Sequence, residues 1–233
     1  MNDSDFYFST IVAAFVRGKL QEEPSLVERY QALFQTPLAA LTIAEAGTLI
    51  EIGKGANLRL HKFKRTMELA RVQRVLGILK GLAPTELLDV GSGRGTFLWS
   101  CLDAFPELAV MAIDREERRV ADILAVRAGG VQQLSAEQMD ATSLSFADRS
   151  FDVVTLLEVL EHIPTPQAAL NEVVRVAKRF AIASVPSKPD DNPEHLHVFS
   201  AEHLGRMLEE AGAVRVRFES VLNHLIAIAK VAN

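Results

Sequence analysis

From residue 86 onward, short apolar runs alternate with stretches that have the periodicity of helices. The apolar runs are ELLDV at 86–90, LAVMAID at 108–114, FDVVTLL at 151–157, RFAIASV at 179–185, AVRVRFESV at 213–221 and HLIAIAKVA at 224–232. This alternation predicts an α/β fold with a mostly parallel sheet that is covered by helices on both faces. Only Leu222 and Asn223 separate the last two runs, which predicts an antiparallel hairpin at one edge of the sheet.

The first third of the chain has a helical pattern instead. The segments 5–18 and 24–35 are rich in apolar residues, and the leucine and valine residues of 69–79 recur at helical spacing. A length of 233 residues is enough for one domain of about 150 residues and an appendage. We therefore expect a helical extension or cap at 1–80 and a second domain at 81–233.

Composition excludes several classes of protein. Asp3 and Asp5 stand where a secretory leader would carry basic residues, and the longest apolar run near them is far shorter than the roughly 20 residues that span a bilayer. We expect a soluble, cytoplasmic protein with no membrane partner. A single cysteine, Cys101, excludes an internal disulfide and a cysteine zinc cluster. The net charge of −5 argues against general affinity for nucleic acid.

Three glycines, Gly91, Gly93 and Gly95, follow the first apolar run in the sequence DVGSGRG. Glycine permits positive φ angles and lets a ligand approach the main chain. The dinucleotide fingerprint GxGxxG does not fit, because Thr96 occupies the place of its last glycine, and no Gly-Lys-Ser or Gly-Lys-Thr follows as in a phosphate loop. The pattern that remains is D-x-G-x-G-x-G, which begins at Asp89.

This pattern resembles the first motif of the class I S-adenosylmethionine-dependent methyltransferases, in particular the small-molecule type known as methyltransferase type 11 or 12. The resemblance continues in the family's order through VMAIDREERR at 110–119, DATSLSFADRSFDVV at 140–154 and LLEVLEHIPTP at 156–166. It implies a Rossmann-like, doubly wound, seven-stranded sheet and S-adenosylmethionine as the cofactor. It covers most of residues 84–231.

The resemblance also implies roles for individual residues in cofactor binding. Asp89 and the glycine backbone would hold the methionine end, Asp114 would accept from both ribose hydroxyls, and Asp140 with Ala141 would bind the adenine. Glu158 would contact the methionine end. The full set of implied cofactor-binding residues is Asp89, Gly91, Ser92, Gly93, Gly95, Asp114, Arg115, Asp140, Ala141 and Glu158.

The sequence EVLEH offers candidates for catalysis. Glu158, Glu161 and His162 have the spacing i, i+3, i+4, which would place them on one face of a helical turn. His162 could take a proton from a hydroxyl or amine of the acceptor. In the alternative interpretation, Glu158 contacts only the cofactor, Glu161 is solvated and His162 stabilises the loop. For Glu161 we favour this alternative and expect a solvated side chain. We take His162, Glu158 and His197 as the candidate catalytic residues.

The loop after the fourth apolar run adds more histidines. In an extended loop His195 and His197 would point the same way. With Glu158, Glu161 and His162 they partly resemble the metal site of the small-RNA 3′-terminal 2′-O-methyltransferases. The same EVLEH sequence is common in family members that bind no metal, so we expect no metal ligands and keep a metal-dependent RNA 2′-O-methyltransferase as an alternative. His203 and His224 are expected to be ordinary surface or hairpin residues.

The segment 54–80 carries eight lysine and arginine residues against one acid, Glu68. Its charge could attract an anionic acceptor, although a solvated helix face explains it as well. The sequence thus favours a methyltransferase that acts on a small or anionic acceptor, with nucleic acid as a less favoured partner. The alternative from a different class is a catalytically silent module that binds the cofactor.

Overall fold

A seven-stranded sheet lies at the centre of the chain in the computed structural model, which describes residues 7–65, 69–188 and 191–232. The strand order is β3-β2-β1-β4-β5-β7-β6. The strands are β1 (Glu86–Val90), β2 (Ala109–Asp114), β3 (Leu134–Gln138), β4 (Phe151–Leu157), β5 (Ala177–Pro186), β6 (Ala213–Val221) and β7 (His224–Val231).

Strands β1 to β5 pair in parallel, whereas β7 pairs antiparallel with both β5 and β6. The hairpin between β6 and β7 turns at Leu222, which adopts a φ of 52°. The doubly wound, mostly parallel sheet and the antiparallel C-terminal hairpin are therefore confirmed. The carboxyl ends of β1, β2 and β4 are adjacent, which is the position where open α/β sheets bind ligands.

Nine α-helices are found in the described part of the chain. They are α1 (Ser9–Leu20), α2 (Pro24–Arg29), α3 (Gln31–Gln35), α4 (Ile43–Gly55), α5 (Ala70–Leu82), α6 (Leu98–Ala104), α7 (Glu117–Ala128), α8 (Pro166–Val176) and α9 (Ala201–Glu210). Local sequence fixes some of their ends: Thr42 and Glu45 form a capping box at α4, and the Ser200 hydroxyl accepts from the His203 N–H at α9. Among these described residues no helix is long and apolar enough to cross a membrane.

Alternate residues of each strand enter different hydrophobic cores, because successive side chains point to opposite faces of a sheet. Leu87 lies in a core with residues of α1 and α4 to α7, whereas Leu88 lies in a core with residues of α8 and α9. Val153 and Val154 divide in the same way. Both faces of the sheet are thus covered, as the near-continuous apolar runs predict.

The helical extension is joined to the sheet domain through α1, which packs against α7 at two glycines. A Cβ atom on Gly18 would lie 1.8 Å from the main-chain oxygen of Ala125, and one on Gly129 would lie 1.7 Å from that of Ala14. The two helices therefore approach each other at backbone distance. Phe15 of α1 and Leu87 of β1 belong to one hydrophobic core. The division into domains at residue 80 stays a prediction.

The pattern of apolar runs does not predict one of the seven strands. The apolar runs number six, and the seventh strand, β3, is the short segment LSAEQ. Only Leu134 and Ala136 of this strand are buried, and the residues between and after them are polar. Its parallel pairing with β2 and the cover of α7 provide the stabilisation that its own composition lacks.

Candidate functional site

A cavity of about 600 Å³ opens at the carboxyl ends of β1, β2 and β4. Its size is within the range typical of sites for small molecules and cofactors. Most of the residues that the resemblance implies for cofactor binding line it, and so does the catalytic candidate His162. The implied residues are Asp89, Gly91, Ser92, Gly93, Asp114, Arg115, Asp140, Ala141 and Glu158.

The glycine loop requires its glycines for backbone geometry and for close packing. Gly91, Gly93 and Gly95 have φ angles of 72°, 58° and 82°, values that side chains with a Cβ rarely adopt. A Cβ on Gly91 would also lie 2.5 Å from Cγ2 of Val159. Gly95 does not line the cavity and instead packs against the indole of Trp99.

Asp114 connects the glycine loop to the end of β2. Its Oδ2 accepts from the Gly93 N–H at 2.8 Å, and its Oδ1 accepts from the Glu116 N–H at 2.9 Å. The guanidinium of Arg119 lies 3.4 Å from Oδ2. The side chain is buried and faces the cavity. Asp114 therefore holds the loop in place while its remaining lone pairs are available to a ligand.

Asp89 carries a buried carboxyl group that is only partly hydrogen-bonded. Its Oδ1 accepts from the Thr155 hydroxyl at 2.8 Å. Its Oδ2 is buried and has no hydrogen-bond partner within the described part of the chain. Burial raises the pKa of Asp89 to about 6, against the opposing effect of the Thr155 hydrogen bond. A cationic ligand group in the cavity would stabilise the charged form of this carboxyl.

Asp140 and Ala141 follow β3 on the adenine side that the resemblance implies. Asp140 Oδ1 accepts from both the N–H and the hydroxyl of Thr142, at 2.8 Å and 2.6 Å. The hydrogen bond from the Thr142 side chain holds the pKa of Asp140 below its ordinary value. Arg115 is exposed at the same rim. Asp140, Ala141 and Arg115 all line the cavity, and their role in binding the adenine stays a prediction.

Glu158 does not share a helical face with Glu161 and His162, contrary to the expectation from their spacing. It has a φ of 59°, a strained value for a residue with a side chain, and only Leu160–His162 form a helical turn. Its Oε1 accepts from the Ser184 hydroxyl at 2.8 Å, and its Oε2 lies 3.0 Å from His224 Nε2. The strained backbone turns the carboxylate toward β5 and β7.

His224 is a hairpin residue, as expected, at the first position of β7, and it also contacts Glu158. The register of β5 and β7 pairs Pro186 with His224, which brings the histidine to the edge where Glu158 lies. Arg71, from the basic segment, lines the cavity with its Nε 3.8 Å from Glu158 Oε2. Neither partner is near Glu158 in sequence, so no local spacing could have identified them.

Glu161 is fully buried, and the expectation that it is solvated was wrong. Its main-chain oxygen accepts from the Leu196 N–H at 2.7 Å, which ties the loop after β4 to the loop after β5. The two loops bring together Glu161, His162 and His195. Each of these residues offers one metal-ligand atom, and the three atoms all lie within 4.8 Å of one another. The rings of His162 and His195 are 4.8 Å apart in an edge-on arrangement.

The two remaining histidine candidates differ in position. His162 lines the cavity, and its Nδ1 lies 3.0 Å from the main-chain oxygen of Glu194. His197 does not line the cavity: its Nε2 lies 3.0 Å from the main-chain oxygen of Ile163. His162 and Glu158 thus line the cavity, whereas His197 lies in the loop after β5 and does not line it.

The site fits an adenosyl cofactor in its chemistry. Asp89 lines the cavity, and one oxygen of its buried carboxyl group has no hydrogen-bond partner among the described residues; the negative charge of this carboxyl suits a cationic group nearby. Asp114 lies on the next strand, where the family resemblance implies a ribose. A cofactor between them would lie along the glycine backbone.

Comparison with known proteins agrees with this site. Residues 88–183 match the family described as "Methyltransferase domain". The O-methyltransferase resE of Aspergillus sclerotiorum is 30% identical over 188 residues, which are 72% of this chain and 70% of that protein. A ubiquinone biosynthesis O-methyltransferase of Ralstonia nicotianae is 32% identical over 100 residues, but these are 42% of this chain and only 40% of that protein.

A solved structure shows the same fold. The N-terminal domain of EvdMO1, crystallised with S-adenosylhomocysteine and D-fucose, superposes with a TM-score of 0.54 at 17% identity, over 69% of this chain and 82% of that one. Three observations indicate the same family: the sheet order, the glycine loop with its two acids, and the extended similarity to resE. The chain therefore belongs to the class I S-adenosylmethionine-dependent methyltransferase family, whose cofactor is S-adenosylmethionine.

Proposed function

We propose that this protein transfers the methyl group of S-adenosylmethionine to a hydroxyl group of a small acceptor. The observation that carries the proposal is the pair of buried acids, Asp89 and Asp114, on adjacent strands beside one glycine loop and one cavity. The cofactor, when bound, supplies a methyl group already activated by its sulfonium. The chain's own task is to hold the acceptor in line with that methyl group, at about 3 to 3.5 Å, and to exclude water.

In this proposal His162 acts as the general base. A carbonyl oxygen can only accept a hydrogen bond, so the contact of Nδ1 with the Glu194 oxygen puts the proton of the neutral ring on Nδ1. Nε2 then has a free lone pair for the proton of the acceptor hydroxyl. The bound cofactor would supply the methyl group, and its sulfur would keep the electron pair of the methyl–sulfur bond that breaks as the oxygen–methyl bond forms. The hydroxyl proton passes to His162 Nε2.

The rim of the cavity supports a small acceptor with an apolar body. Ile163, Pro164 and Leu196 line the cavity beside His162, and Leu196 is 54% exposed. Both curated relatives described above are named O-methyltransferases, and one takes part in ubiquinone biosynthesis. Arg71 adds a positive charge to the cavity, which would suit an acceptor that also carries an acidic group.

A second candidate function is metal-assisted methyl transfer, as in the RNA 2′-O-methyltransferases. The grouping of Glu161, His162 and His195 within 4.8 Å favours it, because two imidazoles and a carboxylate are a common ligand set for divalent metals. The two candidates give His162 different roles, a free base or a metal ligand. They can therefore be separated by experiment.

Calorimetry with S-adenosylhomocysteine tests the proposal first, and a screen of labelled methyl transfer to metabolite, RNA and protein pools follows. We expect S-adenosylhomocysteine to bind and a hydroxylated small molecule to be labelled. Uptake of NADH in its place would contradict the proposal. Binding without transfer to any pool would indicate the silent module instead.

Metal analysis of the purified protein distinguishes the two catalytic candidates. For the free base, we expect full turnover after treatment with a chelator and a large loss of turnover in His162→Gln with unchanged cofactor affinity. Stoichiometric metal that is lost in His195→Ala, together with inactivation by the chelator, would favour the metal.

A further inference from the structure

A second cavity, of about 260 Å³, adjoins the cofactor cavity and shares Gly93, Arg94 and Arg119 with it. It lies between the glycine loop, the first turn of α7 and the turn of Leu60–Phe63 in the helical extension. Trp99 and Ile123, both buried, contribute apolar side chains to its lining. None of the residues at the acceptor rim lines it.

The walls of this second cavity are strongly cationic. They contain five lysine and arginine side chains and one histidine against two acids: Arg59, His61, Lys62, Arg94, Arg118 and Arg119, with Glu116 and Asp122. Both acids are already paired. Asp122 contacts Lys62 and also Lys19 at 2.9 Å, and Glu116 lies 2.8 Å from Arg119.

Three of the arginines, Arg59, Arg94 and Arg118, have no ion pair with any residue for which the structure gives a position. All three are exposed at the mouth of the cavity. An anion at this place would contact side chains that the fold leaves without a counter-charge.

The pKa of Lys62 reflects the same excess of positive charge. Burial lowers the pKa of its ammonium group, and the neighbouring charges of Lys19 and Arg118 lower it further, against the effect of Asp122. Lys62 is almost fully buried, with 9% of its side chain exposed. Asp122 is thus the counter-charge for both Lys19 and Lys62. A bound anion would reduce the repulsion between their two ammonium groups.

We propose that the second cavity binds the phosphate group of a small phosphorylated molecule that is neither the cofactor nor the methyl acceptor. Guanidinium groups form paired hydrogen bonds to phosphate oxygens, and several of them converge on this cavity. The cofactor carries no phosphate, and the acceptor rim lies elsewhere. A cavity of 260 Å³ suits one or two phosphate groups rather than a polymer, and the net charge of −5 disfavours a nucleic acid.

Calorimetric titration with inorganic pyrophosphate tests this proposal, on the free protein and on the protein saturated with S-adenosylhomocysteine. The test variant is the double substitution Arg59→Gln with Arg118→Gln. The matched control is Arg215→Gln, which removes an exposed arginine on β6, far from the cavity in the sheet order. A short single-stranded RNA serves as the competing polyanion.

We expect saturable binding of one pyrophosphate to the wild type and to Arg215→Gln, and binding at least about tenfold weaker in the double variant. Affinity for S-adenosylhomocysteine should stay within about threefold in all three proteins, since no variant touches that site. Failure of the cofactor to bind would count against the proposed function alone.

Two results would overturn the proposed phosphate site. One is the absence of saturable pyrophosphate binding in the wild type, or equal affinity in the double variant. The other is tighter binding of the RNA with equal sensitivity to Arg215→Gln and to the double substitution, because this would show a diffuse attraction to polyanions.

Discussion

Asp89 places a carboxyl group in the cofactor cavity under conditions that favour its neutral form. Burial raises its pKa to about 6, well above its ordinary value of 3.8. The folded protein therefore binds this proton more tightly than the unfolded chain does, and the stability gained from it is lost as the pH rises through about 6. A cationic ligand group in the cavity would reverse the preference, because its charge stabilises the carboxylate.

We therefore predict that binding of S-adenosylhomocysteine releases a proton near pH 6 and weakens by up to about tenfold per pH unit below that value. Calorimetry in buffers of different ionisation enthalpy measures the released proton. Asp89→Asn should weaken binding and remove the pH dependence, whereas Asp103→Asn, which changes an exposed acid paired with Arg65, should leave both unchanged. A pH dependence that survives in Asp89→Asn would exclude this assignment.

His224 orients Glu158 through the contact of 3.0 Å between Nε2 and Oε2. We predict that His224→Leu lowers affinity for S-adenosylhomocysteine about tenfold, because it removes a hydrogen bond to a charged group. His224→Gln should restore most of the affinity, since its amide can donate to the same oxygen. His203→Leu, at an exposed histidine of α9, is the control. Equal losses for leucine and glutamine would show that packing rather than orientation matters.

At the scale of whole elements, the contact of α1 with α7 depends on the two glycines at its crossing. Gly18→Ala and Gly129→Ala would each place a methyl group inside the van der Waals radius of a main-chain oxygen, at 1.8 Å and 1.7 Å. We predict a loss of about 1 to 3 kcal/mol in the free energy of unfolding for each, measured by urea titration.

Gly77→Ala is the matched control for these two substitutions. Gly77 lies within α5, and a Cβ there meets no atom within 4 Å. Alanine should therefore stabilise the protein by about 0.5 to 1 kcal/mol, since it favours the helix. If Gly18→Ala were as stable as Gly77→Ala, the close approach of α1 and α7 would be refuted.

Elements with strong local patterns could be predicted from sequence, and those that depend on tertiary contacts could not. The apolar runs predicted six of the seven strands and the hairpin. The strand β3 lacked an apolar run, so only its neighbours define it. The conformation of Glu158 and the burial of Glu161 depend on β5, β7 and the loop around Leu196, which are distant in sequence.

At the scale of the molecule, the helical extension and the sheet share one hydrophobic core. Phe63 of the extension contacts both Phe15 of α1 and Trp99 of α6, with ring centroids 4.9 Å apart in each pair. Phe15, Phe63 and Trp99 are among the largest fully buried side chains. The extension therefore covers apolar surface that the sheet domain alone would expose to water.

We predict that a fragment of residues 81–233 does not fold cooperatively. It would lack Phe15 and Phe63 and expose the face of Trp99 that they cover. Circular dichroism during urea titration should show a broad transition, and a dye that binds exposed apolar surface should fluoresce more than with the full chain. A sharp transition with normal affinity for S-adenosylhomocysteine would instead establish 81–233 as an independent domain.

The hydrogen bond from Leu196 N–H to the Glu161 oxygen, 2.7 Å long, spans the side of the cavity where the acceptor would enter. The two loops cannot move apart while this bond remains. Either both loops swing together as one gate, or the bond breaks and the Leu196 amide becomes exposed to solvent. Hydrogen exchange at that single amide would then report how often the bond opens.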